Sequence, residues 1–254
     1  MMIAGMCRLL FLGAALAGPA LAADPVAVPA QCAAPDEAVA TTAPMPRVAA
    51  SLRPGGVLDV LVVGSAPMFG RSPPALRTPG VVAFPWRMAE ALQAAVPKLT
   101  VNITVRGGHG ATAGEMADMI RDALAARRYA LLLWQTGTVE AVKNLPPDDF
   151  TEALMEGVDT ATRKGADVVL VDPQYSRFLQ AHADVEPYER ALEDVAAMPN
   201  VELLHRFDLM HRWADGGQID LEHTDEAERR PILDLLHQCL GAYLARMVLM
   251  GARS

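Results

Sequence analysis

Four short segments of the chain carry groups that could do chemistry. Gly64-Ser65-Ala66-Pro67 places a hydroxyl beside a glycine. Arg106-Gly107-Gly108-His109-Gly110-Ala111-Thr112 combines three glycines with an imidazole. Trp134-Gln135-Thr136-Gly137-Thr138-Val139-Glu140 ends an apolar run in polar side chains. Asp234-Leu235-Leu236-His237 sets a carboxylate three residues before an imidazole. A hydroxyl, a carboxylate–imidazole pair and free backbone amides are the parts of nucleophilic acyl transfer. Each group also has a plain structural use. Ser65 fits the cap of a turn, and the glycines fit a tight turn needing positive φ. His237 fits the flank of a helix stripe formed by Ile232, Leu236, Cys239, Leu240, Tyr243 and Met247. A rival pair, Asp220-Leu221-Glu222-His223, lies in a polar stretch just upstream. His205 and His211 have no partner at metal-ligand spacing, and no cofactor or metal motif occurs.

The elements that must position these groups follow from periodicity. Val57–Val63, Thr100–Val105, Tyr129–Trp134, Asp167–Val171 and Val201–Leu204 read as strands. Most are near-continuous apolar runs, as expected of strands covered on both faces. Helical spacing occupies Trp86–Val96, Thr112–Arg128, Asp148–Lys164, Glu186–Ala197 and Pro231–Met250. Strands alternating with helices predict a three-layer α/β/α domain around a parallel five-stranded sheet. Ligands in such sheets sit outside the carboxyl ends of the strands. The first three chemical segments fall on those ends. Asp172, Gln174 and Tyr175, after the fourth strand, are expected at the rim.

Taken together and in this order, the four segments resemble the SGNH (GDSL-type) hydrolase family, in particular a branch of exported bacterial proteins. The resemblance runs over roughly residues 57–248. It implies the flavodoxin-like sheet of that family and ester hydrolysis by a serine mechanism. A serine after the first strand would attack the carbonyl. A glycine amide after the second strand and an asparagine after the third would hold the oxyanion, and an Asp-x-x-His pair would activate the serine. Carried over by position, Gly110 is the amide donor, and Asp234 and His237 are the pair. The family's Gly-Asp-Ser is Gly64-Ser65-Ala66 here, so Ser65 is the candidate nucleophile, one residue early. Gly-x-Asn-Asp is Gly137-Thr138-Val139-Glu140, which puts Val139 at the oxyanion asparagine. His109, Gln135 and Thr138 are candidate ligand contacts. The alternative is a catalytically degenerate relative that binds a carbohydrate or acyl ligand in the old cleft.

Composition sets the outer limits. The chain has 254 residues, 52% of them hydrophobic, with a formal charge of -8. That hydrophobic share excludes disorder. The acidic balance argues against nucleic acid as a partner. A small-molecule or glycan ester is the expected partner; oligomeric state is not legible. Residues 1–22 read as a signal peptide: Arg8, the apolar run Leu9–Ala17, then Ala20-Leu21-Ala22 before a cut. The run is shorter than the roughly 20 residues of a spanning helix, so no stable membrane anchor is expected. Residues 23–54 read as an extended Ala/Pro-rich lead-in, and 55–254 as the domain. Export to the periplasm or beyond would remove Cys7 and leave Cys32 and Cys239. An even pair in an oxidising compartment suggests a disulfide, and two separate thiols are the alternative.

Overall fold

The computed structural model describes residues 26–34, 43–64, 80–222 and 225–254. Residues 1–22, with the expected signal peptide, and Ser65, Ala66 and His223 lie outside the described residues.

Five parallel strands form one sheet: β1 (Val57–Gly64), β2 (Thr100–Arg106), β3 (Leu131–Gln135), β4 (Asp167–Val171) and β5 (Val201–Leu204). Their spatial order is β2-β1-β3-β4-β5. The chain leaves β1 toward one edge and returns through β3 toward the other. That reversal opens a crevice between the carboxyl ends of β1 and β3, where Gly64 is in register with Gln135.

Side chains alternate across the strands and feed two cores. Leu61, Val63, Leu132, Trp134 and Leu170 face α3 (Ala113–Ala126), α5 (Pro147–Arg163) and α7 (Glu186–Ala196). Leu58, Val60, Val62, Leu133 and Val171 face α1 (Pro46–Ser51), α2 (Phe84–Ala95) and α9 (Glu226–Gly251). The period-2 alternation explains how one strand serves both layers. Helix α9 is long and apolar enough by length and composition to cross a membrane over Ala227–Gly251, and 67% of its most apolar 18-residue stretch is buried in the protein.

The structure departs from the expected elements in three places. The lead-in is not extended throughout, because Pro46–Ser51 is helical and Ala30–Cys32 forms a 3-10 turn. It still wraps the domain: the backbone N–H groups of Arg47 and Val48 donate to the buried carboxylate of Asp167 at 2.8 and 2.9 Å. The last helix begins at Glu226, five residues before Pro231, which therefore sits inside it. Three short helices, α4 (Thr138–Lys143), α6 (Arg177–His182) and α8 (Arg206–Asp215), lie outside the expected helices. Cys32 and Cys239 form a disulfide with a Cα–Cα distance of 5.5 Å.

Candidate functional site at the carboxyl edge of the sheet

The loops after β1 and β2 touch at glycine. Gly107 adopts φ +151°, and a Cβ there would lie 2.0 Å from the Gly64 carbonyl oxygen. Only glycine fits that approach. Gly110 follows at φ +69°. Its carbonyl accepts from Lys143 Nζ at 3.2 Å. Its N–H makes no hydrogen bond among the described residues, which leaves one amide available at the crevice. His109, beside it, is exposed.

The loop after β3 turns at Gly137, φ +95°, straight into α4. Glu140 fixes this turn. Its buried carboxylate accepts from Gly137 N–H at 3.2 Å and, across the crevice, from Ala113 N–H at 2.5 Å. Glu140 thus stitches the third-strand loop to the start of α3, whose N-terminus is also closed by the reciprocal Thr112–Glu115 capping box. Replacing Glu140 by Gln puts an amide NH2 opposite one of two buried N–H donors. Such a variant is expected to lose about 1–3 kcal/mol, read as a lower urea midpoint at unchanged slope. An unchanged midpoint would show that the stitch carries no stability.

Around this turn several polar atoms are buried without a partner. They are Gln135 Oε1, Thr136 Oγ1 and Thr138 Oγ1. Native interiors leave few such atoms orphaned, so three together at a crevice mark a place where a ligand group or water is expected. Val139, which the resemblance aligns with an oxyanion asparagine, has no side-chain donor.

Asp234 and His237 are not joined. The Asp234 carboxylate accepts from Arg87 Nη2 at 2.8 Å and from Gln238 Nε2 at 2.8 Å. Burial works against its charge, yet the hydrogen bonds from Arg87 and Gln238 hold it below the usual carboxylate range. His237 is buried, and its Nδ1 accepts from the Phe84 backbone N–H at 3.3 Å. Phe84 opens α2, and its N–H is one of the first-turn donors for which a helix has no internal acceptor. Both members of the pair therefore fasten α2 to α9. The physical reason is that both lie inside α9, where Asp234 is taken by Arg87 and Gln238 and His237 by Phe84, so they point to different neighbours. In the rival pair, Asp220 takes Arg177 Nη1 at 2.9 and 3.0 Å.

The His237 hydrogen bond also fixes its tautomer. A neutral ring whose Nδ1 accepts carries its proton on Nε2. Burial, and then the positive field of Arg206, push its pKa down to about 4. The sign follows: between about pH 4 and the unfolded value near 6.5 the unfolded chain binds a proton that the folded chain refuses. His237 thus favours the fold fully above that window, and the benefit is lost as pH falls through it. In a proton NMR titration the His237 ring is expected to stay neutral down to about pH 4. Titration near 6.5 would overturn the assignment.

Two features escaped the sequence. Glu140 is one. The other is Arg206, two residues beyond β5 and 1% exposed, with Nε and Nη2 unpartnered. Its place just after a strand was the signal, the same one that exposed the other loops. Burial lowers its pKa to about 10, and the charge of Asp172 opposes that fall. On the opposite face of β4 and β5, Asp172, Glu189, Glu193, His205 and Asp208 line a cavity of about 90 Å³. Burial raises Asp172 well above the carboxylate range, and burial with Asp208 and Glu193 nearby raises Glu189 to about 7.

Comparison with known proteins agrees with this geometry. The profile of the Non-GDSL lipase-like family matches residues 31–254. No curated protein matches the chain. Among solved structures, a catalytic mutant of an acetylxylan esterase from Geobacillus stearothermophilus is similar at TM-score 0.58 and 14% identity, over 78% of this chain and 96% of that one. A lipolytic protein of the G-D-S-L family from Desulfitobacterium hafniense is similar at TM-score 0.54 and 16% identity, over 74% and 98%. An SGNH-hydrolase family esterase is similar at TM-score 0.51 and 15% identity, over 69% and 89%. At these identities the likeness establishes the fold.

Proposed function

The chain belongs to the Non-GDSL lipase-like family, and from that premise we propose an exported SGNH-fold protein that binds a small or glycan-borne acyl ligand at the carboxyl edge of its sheet, with ester hydrolysis slow or absent. The supporting observation is the hydrogen bond from Phe84 N–H to His237 Nδ1. In a serine triad Nδ1 donates to the acid and Nε2 takes the serine proton. Here both ends of the ring have the opposite role, and Asp234 serves Arg87.

A second reading, true ester hydrolysis from Ser65, is favoured by the unbonded amide of Gly110 at the family's oxyanion position. Acetylated xylo-oligosaccharide separates the two, since a fold relative is an acetylxylan esterase. Calorimetric binding without acetate release is the expected result. Acetate release that disappears in Ser65→Ala would establish the second reading, and neither binding nor release would overturn both. Export is tested by intact mass of protein from a periplasmic extract. A chain starting at Ala23 is expected; retention of residues 1–22 in a membrane fraction would overturn it.

A further inference from the structure

We propose that Arg206 and His237 form a carboxylate-binding corner of the cleft, so that the ligand taken there carries a carboxylate group. The inference rests on the cleft being a ligand site, and it goes further by naming the group that the ligand must present.

Arg206 is the first residue of α8. Its Nε and Nη2 lie on one edge of the guanidinium, and both are buried without a partner among the described residues. The two N–H bonds on that edge run parallel and match the two oxygens of a carboxylate. The protein does not supply those oxygens. Asp172 is the acid whose field reaches Arg206. Its carboxylate is directed elsewhere: Oδ1 accepts from Phe207 N–H at 2.9 Å, and Oδ2 lies 3.9 Å from His205 Nδ1. A buried cation left without hydrogen bonds is costly, and breaking such a pair is worse than never having it. The arrangement makes physical sense if an outside anion completes it.

His237 adds a second donor on the same side of the sheet. Leu209 and Trp213, one and two turns along α8 from Arg206, share a core with Leu236 and Leu240, which flank His237 on α9. With Nδ1 occupied by Phe84 N–H, the ring presents Nε2–H, which has no hydrogen bond among the described residues. One cation and one neutral donor complement a single negative charge. A dianion such as phosphate would leave net charge buried, which argues for a carboxylate. Room for the rest of the molecule exists next door. A cavity of about 190 Å³ is walled by Met210, one turn beyond Arg206, by Leu236, the neighbour of His237, and by Tyr175 and Leu221.

The test uses the full mature protein with sodium acetate and sodium glucuronate as probes, and methyl glucoside as the neutral control, at constant ionic strength. Both carboxylates are expected to raise the melting temperature saturably and the glucoside to leave it unchanged. Arg206→Met removes the charge at similar volume and is expected to abolish the shift; Arg206→Lys keeps the charge, loses the parallel edge and should weaken it at least about tenfold in apparent affinity. If neither variant folds, the wild type decides: the Arg206 Nε–H resonance should move when acetate is added. An unmoved resonance, or an equal response to glucoside and glucuronate, would overturn the carboxylate corner. Binding of a neutral acetylated oligosaccharide in that case would leave the proposed function standing.

Discussion

Purified wild-type protein is expected to hydrolyse p-nitrophenyl acetate at least about a hundredfold more slowly than the ordinary enzyme range of roughly 1–10³ per second. Three departures from the family act together. Loss of one oxyanion donor, as with Val139 for asparagine, typically costs about 10²–10³ in turnover. In the sequence alignment on Gly64, Ser65 falls one residue before the serine of the SGNH pattern and Ala66 falls on it, and successive residues of an extended chain point in opposite directions. The general base is the largest loss. His237 can receive a proton at Nε2 only by giving up the one it holds there or by releasing Phe84 N–H from Nδ1. Its pKa of about 4 also makes it a weak acceptor at neutral pH. Such losses overlap rather than multiply, so the product of the separate factors overstates the effect. Ala66→Ser with Val139→Asn is expected to raise the residual rate while leaving it below the ordinary range, because neither change moves Asp234 off Arg87. Wild-type turnover within that range would overturn the prediction. So would robust activity that survives Ser65→Ala.

What the sequence revealed, and what it hid, has a common physical origin. Buried strands announce themselves because both faces need apolar residues, and Asp167–Val171 and Val201–Leu204 match their expected bounds residue for residue. Helix α8 went unseen for the opposite reason. Phe207 and Ala214 join one core while Leu209 and Trp213 join the other, so no single stripe of period 3.6 exists to be read. The start of α9 differs from the expectation because proline is favoured in a first helical turn, so Pro231 suggests a start that the helix in fact precedes. Residues 226–230 precede it with little apolar patterning, yet they are helical. In the site, spacing correctly drew attention to Asp234 and His237 but could not reveal their partners. Arg87 and Phe84 lie about 150 residues upstream, and their proximity is a tertiary fact. The same holds for Glu140, whose importance depends on Ala113 N–H across the crevice.

Breaking the Cys32–Cys239 bond is expected to produce the largest loss of stability of any change considered. The two cysteines are 207 residues apart in sequence. Closing so long a loop restricts the unfolded chain by about 5 kcal/mol in the chain-entropy description, and native disulfides typically give 2–5 kcal/mol on removal. Both residues are completely buried, and Tyr243 Oη donates to the Cys32 carbonyl at 2.7 Å, so the 3-10 turn is anchored from two sides. The bond reaches α9 two residues after His237, and it therefore also steadies the helix that holds Asp234 against Arg87. Cys32→Ser with Cys239→Ser should lower the urea midpoint substantially and steepen the slope, because the unfolded chain without the crosslink exposes more surface, and reductant should reproduce the change in the wild type while leaving the double variant unaffected. Thiol labelling of the unreduced protein should find no free cysteine if residues 1–22 are removed, and one, Cys7, if they are retained. Two labelled thiols from Cys32 and Cys239, or a midpoint indifferent to reductant, would remove the bond from the account. The lead-in would then be held only by contacts such as those of Arg47 and Val48 with Asp167. Those contacts depend on a carboxylate that burial already pushes toward its neutral form.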